Sequence, residues 1–293
     1  MIKINVIGSG VVGYATGKGF IKRGFDTTFI DVNPHKIKEI KSEGYKACSA
    51  EEFKKFKFKE NDNVVHFLAV PTPTIHKKVD LKYLENACAE VAEVLKNNTA
   101  YQVVVTRSTL PPGTTRILST QIENLSGKEL GKDFGLCMNP EYLRAHNAVE
   151  DFDNPWIVVV GAHDDKSYKV LEEIYNKFTP EIHRLTIEEA EFQKYVHNLL
   201  NATKISFFNE MRIIGKSLNL DTDKVFSLVA KSAEALWNPR YGIEDRGPFG
   251  GVCLPKDAQG FLTWAKEKGH DLTHLRATIR VNNRLRKHKA KSK

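Results

Sequence analysis

The run Gly8-Ser9-Gly10-Val11-Val12-Gly13 restricts the fold more than any other stretch of the chain. It stands between an apolar strand-like segment, Ile2–Gly8, and a helical segment ending at about Arg23, with Gly24 as its stop. Such a turn uses its first glycine to bend tightly and its second to let the backbone approach a pyrophosphate. The third lets the helix pack on the strand, and the helix N-terminus then faces phosphate charge. A second strand, Asp26–Asp31, ends on a carboxylate roughly 20 residues on, where it can accept hydrogen bonds from a ribose. A carboxylate there also repels a 2′-phosphate. The pattern therefore points to NAD rather than NADP, held by Gly8, Gly10, Val11, Val12, Gly13 and Asp31, with Lys36 nearby.

The first half continues in the alternation that builds a mainly parallel sheet covered on both faces. Helices are expected over Pro34–Glu43, Leu81–Lys96 and Ser167–Phe178. Strands are expected over Val64–Val70, Gln102–Thr106, Phe134–Met138, Ile157–Gly161 and Ile182–Leu185. From Glu188 to about Lys216 the periodicity is helical with no Gly or Pro until Gly215. Shorter helices follow near Thr222–Lys231, Lys256–Lys268 and Leu272–Lys287. The expectation is α/β, a Rossmann-type domain over residues 1–186 followed by an all-helical domain over 187–293 that ends in a basic tail.

Bulk properties narrow the setting. The chain has 293 residues, 41% hydrophobic and 27% charged, which is ordinary for a globular protein of two domains. No apolar run approaches the ~18 residues of a membrane span. Cys48, Cys88, Cys137 and Cys253 are far apart with no CxxC spacing, which argues against a zinc site and for a reducing cytoplasm. The formal charge of +8 resides at one end. After Asp271 there is no acid, but there are Arg276, Arg280, Arg284, Arg286, Lys287, Lys289, Lys291 and Lys293; the rest of the chain is neutral. No aromatics interleave that run to stack bases, so nucleic-acid binding is disfavoured, and charge runs of this kind are usually solvated faces.

Further segments carry chemistry. Ala69-Val70-Pro71-Thr72-Pro73, the run Arg107–Thr115 containing Ser108-Thr109-Leu110-Pro111-Pro112-Gly113, and Asn139-Pro140-Glu141-Tyr142-Leu143-Arg144 each follow a strand. They project at the sheet edge where ligands of such folds bind. Lys194 and Asn198, four apart on a helix, share a face. Cys253 follows two glycines and precedes a helix with Pro255, Lys256 and Asp257 in its first turn. A thiol near a helix N-terminus beside a lysine is favoured as thiolate. Each segment alone also has a structural reading, such as a proline-stiffened loop, a solvated lysine or a small buried thiol.

Together and in order, these segments resemble the UDP-glucose/GDP-mannose dehydrogenase family, down to the helix continuing as Ala202-Thr203-Lys204-Ile205-Ser206-Phe207-Phe208-Asn209-Glu210 and the run Phe249-Gly250-Gly251-Val252-Cys253-Leu254-Pro255-Lys256-Asp257. The resemblance covers essentially the whole chain and corresponds to the first two of that family's three domains. It implies a four-electron oxidation of a nucleotide sugar's primary alcohol to a carboxylate with NAD. Cys253 would be the nucleophile, Lys194 and Asn198 would stabilise oxyanions, and Asp257 and Glu141 would position or deprotonate water with help from Thr109. Further cofactor contacts are expected from Pro71, Thr72, Ser108, Thr109 and Lys256. Substrate contacts are expected from Glu141, Tyr142, Leu143, Arg144, Lys194, Asn198, Tyr241 and Gly250.

Ala145 departs from the family pattern, which usually has a second glutamate there, and Pro248 stands where a glycine is expected. The chain stops where the third, sugar-nucleotide domain would begin, so a partner chain supplying that domain is one expectation. Two rivals remain open from sequence: a two-domain 3-hydroxyacid dehydrogenase, which would not need Cys253, and a silent NAD-binding remnant. The apolar residues Ile205, Phe207, Phe208, Met211, Ile213 and Ile214 occupy more than one side of the long helix, which suggests a homodimer.

Overall fold

The computed structural model describes residues 2–178, 180–245 and 247–291, with side chains as far as Lys287. Lys293 of the basic tail therefore lies outside the described residues, as do the side chains of Lys289 and Lys291. The chain divides into two units, residues 1–197 and 198–293.

The first unit opens with β1 (Ile2–Ile7), α1 (Val11–Lys22), β2 (Asp26–Asp31), α2 (Pro34–Ser42), β3 (Lys46–Ser49) and α3 (Ala50–Phe53). After β4 (Asn63–Leu68) comes a hairpin of β5 (Thr74–Ile75) and β6 (Lys78–Val79), then α4 (Lys82–Lys96), β7 (Gln102–Thr106), α5 (Thr114–Ser126) and β8 (Phe134–Met138). Next follow α6 (Ala148–Asp153), β9 (Val158–Ala162), α7 (Asp165–Tyr175), β10 (Ile182–Leu185) and α8 (Ile187–Ser217). Eight strands form one sheet in the order β10-β9-β8-β7-β4-β1-β2-β3. Neighbours run parallel except β9, which is antiparallel to β8.

Period-two alternation divides the core between the two faces of the sheet. Ile4, Val6, Val65, Phe67, Val103 and Val105 pack on one side around Phe20. Ile7, Leu68, Val104 and Leu136 pack on the other against Leu84, Val91 and Leu95 of α4. Phe20 is fully buried, its ring centroid 4.9 Å from that of Phe67 and 5.1 Å from that of Phe152. Burying such a side chain contributes about 1.5–3 kcal/mol. One polar chain crosses this apolar sheet. Asn5 Nδ2 lies 3.3 Å from His66 Nδ1, and His66 Nε2 lies 2.6 Å from Gln102 Oε1. Complete burial lowers the His66 imidazole to about 4, so the ring is neutral.

Several elements differ from the sequence expectation. The strand expected to reach Val70 ends at Leu68, because Ala69 and Val70 turn into the proline-containing loop. The strand expected at Ile157–Gly161 is displaced by one residue. β3, the β5–β6 hairpin, α3, α5 and α6 were not expected. The change in character near residue 187 marks the start of α8, but the unit boundary falls inside that helix. The physical reason is that its first turns carry Ile187 and Ala190, which are fully buried in the core of the sheet.

In the second unit the end of α8 is followed by α9 (Thr222–Ser232), α10 (Glu234–Trp237), α11 (Cys253–Glu267) and α12 (Thr273–Lys291). A small core of Ile214, Ala265 and Leu272 is backed by Met211, Leu262, Trp264 and Leu275. Glu210 caps α12, accepting the N–H of His274 at 2.7 Å and of Leu275 at 3.1 Å. No helix among the described residues is long and apolar enough to cross a membrane.

Candidate functional site

The glycine turn joins β1 to α1 as the sequence requires. Gly8 has φ +89, and a Cβ there would come within 2.8 Å of the Ala69 carbonyl oxygen. A Cβ on Gly13 would lie 1.8 Å from the Gly8 oxygen, so only glycine lets α1 seat on β1. Gly10, in contrast, faces open space. At the end of β2, Asp31 Oδ2 accepts the Ser9 N–H at 2.7 Å and the Ser9 hydroxyl at 2.5 Å, while Oδ1 accepts the Asn33 N–H at 2.8 Å. Lys36 on α2 is drawn to Glu39 at 2.8 Å, which raises its ammonium above the ordinary range.

These residues border a cavity of about 620 Å³ along the C-terminal edge of the parallel strands. Gly8, Gly10, Val11, Val12, Asp31 and Lys36 line one end, and Pro71 and Thr72 line the middle. Ser108, Thr109 and Glu141 line the far end. Gly13 lies beneath the cavity and does not line it. The loops after β4 and β7 are tied together, for Ser108 Oγ donates to the Val70 carbonyl at 2.5 Å and Thr72 Oγ1 donates to the Thr109 carbonyl at 3.1 Å. The start of α5 is closed by a fully buried carboxylate. Glu191 of α8 accepts the N–H of Gly113 at 2.5 Å and of Thr115 at 2.8 Å, and burial raises its carboxyl.

The loop after β8 carries Glu141. Its base is held by Asn139, which donates to the Val159 carbonyl at 2.7 Å and accepts from buried Arg107. Lys194, almost wholly buried on α8, donates to the Glu141 backbone carbonyl and places its Nζ 3.0 Å from Glu141 Oε1. The same Nζ lies 5.1 Å from the Tyr142 ring centroid. The Tyr142 hydroxyl donates to Gln193, and burial pushes its phenol above the usual range. His197 packs at 5.0 Å on the Tyr142 ring, and burial first, then Lys194, lowers its imidazole. Leu143 packs into the core of the sheet, and Arg144 binds Asp151 at 2.6 Å. Those two expected substrate contacts therefore have structural partners of their own.

The remaining expected residues belong to the second unit. Asn198 lies on α8 and Cys253 begins α11, exposed, while the other three cysteines are buried. Lys256 and Asp257 in the first turn of α11 form an ion pair at 2.5 Å. Tyr241 and Gly250 lie in the stretch before α11, where Phe249 offers its carbonyl to Asn282 at 3.1 Å and to Arg286 at 2.9 Å, both on α12. Arg286 is thus bonded within its unit and is not simply a member of a solvated tail.

Sequence reasoning missed two groups that line the cavity. Arg107 lies at the far end, and Tyr83, Asn86, Ala87 and Glu90 of α4 form a wall. The signal was present, since 83, 86, 87 and 90 fall on one helical face. It was masked by the apolar period of Leu84, Cys88 and Val91 on the same helix.

The cavity fits an NAD molecule, having open backbone at Gly10, a ribose acceptor in Asp31 and the N-terminus of α1 facing it. Residues 2–179 match the NAD binding domain of the UDP-glucose/GDP-mannose dehydrogenase family, and residues 188–284 match that family's central domain. The chain is 32% identical over 301 residues to GDP-mannose 6-dehydrogenase of Pseudomonas aeruginosa, covering 96% of this chain and 68% of that protein. It is 30% identical over 305 residues to UDP-glucose 6-dehydrogenase of Haloferax volcanii, covering 96% and 70%. The crystal structure of a ternary complex of the Pseudomonas aeruginosa GDP-mannose dehydrogenase superposes with a TM-score of 0.88 at 30% identity, over 96% of this chain and 68% of that one. A UDP-glucose dehydrogenase from Pyrobaculum islandicum gives a TM-score of 0.73 at 30% identity, over 97% and 68%. By this fold, these sequence matches and this cavity, the chain belongs to the UDP-glucose/GDP-mannose dehydrogenase family of NAD-dependent enzymes.

Proposed function

We propose that the protein oxidises the primary alcohol of a nucleotide sugar to the carboxylate, in two steps joined by a covalent adduct on Cys253. The observation that carries this reading is the cavity itself. Asp31 lies at one end, and Glu141, ion-paired to buried Lys194, lies at the other. NAD, held by Gly8, Gly10, Val11, Val12, Asp31, Thr72 and Thr109, supplies the hydride acceptor for each oxidation.

The chain's own residues do the rest. Oxidation of the alcohol leaves an aldehyde. The Cys253 sulfur adds to its carbon, and the carbonyl oxygen takes a proton to give a thiohemiacetal. Loss of a hydride and a proton from that adduct gives a thioester. Water then breaks the C–S bond, releasing the acid and restoring the thiol. Lys194 and Asn198 stabilise the oxyanions that develop at each stage. Glu141 and Asp257 orient and deprotonate water, and Thr109 orients it through its hydroxyl. Relatives named for GDP-mannose and for UDP-glucose make these two the substrates to test. The protein works as a dimer through α8, where Ile205 and Ile213 are 61% and 66% exposed.

Counting NADH formed per molecule of GDP-mannose or UDP-glucose consumed tests this reading. Two per sugar with the acid as product is expected. One per sugar with an aldehyde product would overturn it.

A further inference from the structure

Helix α4 contributes Tyr83, Asn86, Ala87 and Glu90 to the wall of the dinucleotide cavity. Glu90 is half-buried there, and among the described residues its carboxylate has no hydrogen bond and no ion pair. Burial without a compensating donor holds the carboxyl above its ordinary range. The charges it senses are Glu51 of α3 and Lys54 just after that helix, themselves paired at 2.7 Å, and Glu93 on its own helix. α3 follows β3, the outer neighbour of β2, so Glu90 stands toward the end of the cavity that holds Asp31. Thr109 and Glu141 follow β7 and β8 on the opposite side of β1. A dinucleotide whose adenosine ribose meets Asp31 therefore presents its purine to α4, and its nicotinamide away from it.

We propose that Glu90 selects the base of the cofactor, its carboxylate accepting a hydrogen bond from the exocyclic amino group of adenine while Asn86, one turn earlier, donates to a ring nitrogen. This rests on the assignment of the cavity to NAD and adds a determinant of which dinucleotide it takes. The chemistry is complementary. Adenine offers an amino donor flanked by ring-nitrogen acceptors, and an acceptor beside a donor on one helix face matches that edge. A half-buried acceptor with no internal donor also gains more from a ligand donor than one already bonded. A 6-oxopurine loses the amino donor and sets a carbonyl oxygen against the carboxylate.

Calorimetric dissociation constants for NAD and for nicotinamide hypoxanthine dinucleotide test the idea, since the two ligands differ only in the purine. The unmodified protein is expected to favour NAD by roughly tenfold or more. Glu90→Gln keeps the size and can turn its amide to suit either base, so the preference should fall to within about threefold. Glu90→Ala should weaken NAD while leaving the hypoxanthine analogue almost unchanged. Equal affinities in the unmodified protein, or an unmodified ratio in both variants, would overturn the role of Glu90 while leaving the cavity assigned to NAD. Binding of neither dinucleotide would overturn that assignment, and the role of Glu90 with it.

Discussion

Asp31 accepts two hydrogen bonds from Ser9 through the same carboxylate oxygen, one from the N–H at 2.7 Å and one from the hydroxyl at 2.5 Å. The carboxylate is therefore held in place by the glycine turn, and we propose that it sets cofactor choice. Asp31→Ala is expected to weaken NAD by about 1.5–3 kcal/mol, roughly ten- to a hundredfold, and to narrow the gap to NADP. Titration calorimetry with both cofactors checks this. Equal affinity of the unmodified protein for NAD and NADP would refute it.

Lys194 and Glu141 form an ion pair in which the lysine is almost wholly buried. Lys194→Met leaves a partly buried carboxylate without its cation, and the expected loss of stability is about 2–4 kcal/mol, discounted for the exposed side of Glu141. Glu141→Gln keeps the backbone carbonyl as a partner for Lys194 and should cost less. Urea unfolding ranks the two. An unchanged midpoint for Lys194→Met would mean that the pair contributes nothing to the fold.

Cys253 serves only the second oxidation in the proposed scheme. Cys253→Ser should keep the first hydride transfer and stall at the aldehyde or its hydrate, lowering acid production by several orders of magnitude. Mass analysis of the product, with NADH counted per turnover, is the measurement. Full-rate acid formation by this variant would falsify the thioester route.

His66 makes stability depend on pH. Its imidazole is lowered to about 4 in the fold, against about 6.5 in an unfolded chain. As pH falls below about 6.5 the unfolded state takes up a proton that the folded state refuses, so stability declines until about pH 4 and then levels. The full effect is roughly 3 kcal/mol. His66→Gln should remove that part of the slope. Denaturant unfolding at pH 7.5, 5.5 and 4.5 compares the two proteins, and identical pH profiles would contradict the assignment.

The exposed apolar residues of α8 predict self-association. Light scattering at micromolar protein should give twice the chain mass, and Ile205→Glu with Ile213→Glu should shift it to the monomer. A monomeric mass for the unmodified protein would count against the dimer.

Much of the first unit was readable because its central strands are short, mostly apolar runs, β-branched in Gln102–Thr106 and apolar without β-branching in Phe134–Met138. Gln102–Thr106 and Phe134–Met138 have the bounds that their composition suggests. β3 was not readable, since Lys46-Ala47-Cys48-Ser49 has little strand propensity and becomes a strand by pairing with β2. α5 was hidden behind the attention that Pro111-Pro112-Gly113 draws as a loop. In the site, the glycine turn and Asp31 were legible from spacing alone. Glu191 was not, because an acid near the start of a long helix reads as solvated, and only tertiary packing shows it buried against the N-terminus of another. The cavity face of α4 was lost for the opposite reason, its polar residues being interleaved with a strong apolar period.

The carbonyl of Phe249 is shared between Asn282 and Arg286, 33 and 37 residues further along the chain. A ribosome makes the segment around Cys253 well before it makes these two donors, and domains tend to fold in order of synthesis. The turn that leads into the cysteine thus lacks its fastening until α12 has emerged. By then the whole sheet domain, with its glycine turn, has already been synthesised, so the thiol's immediate surroundings mature after the cofactor domain rather than with it.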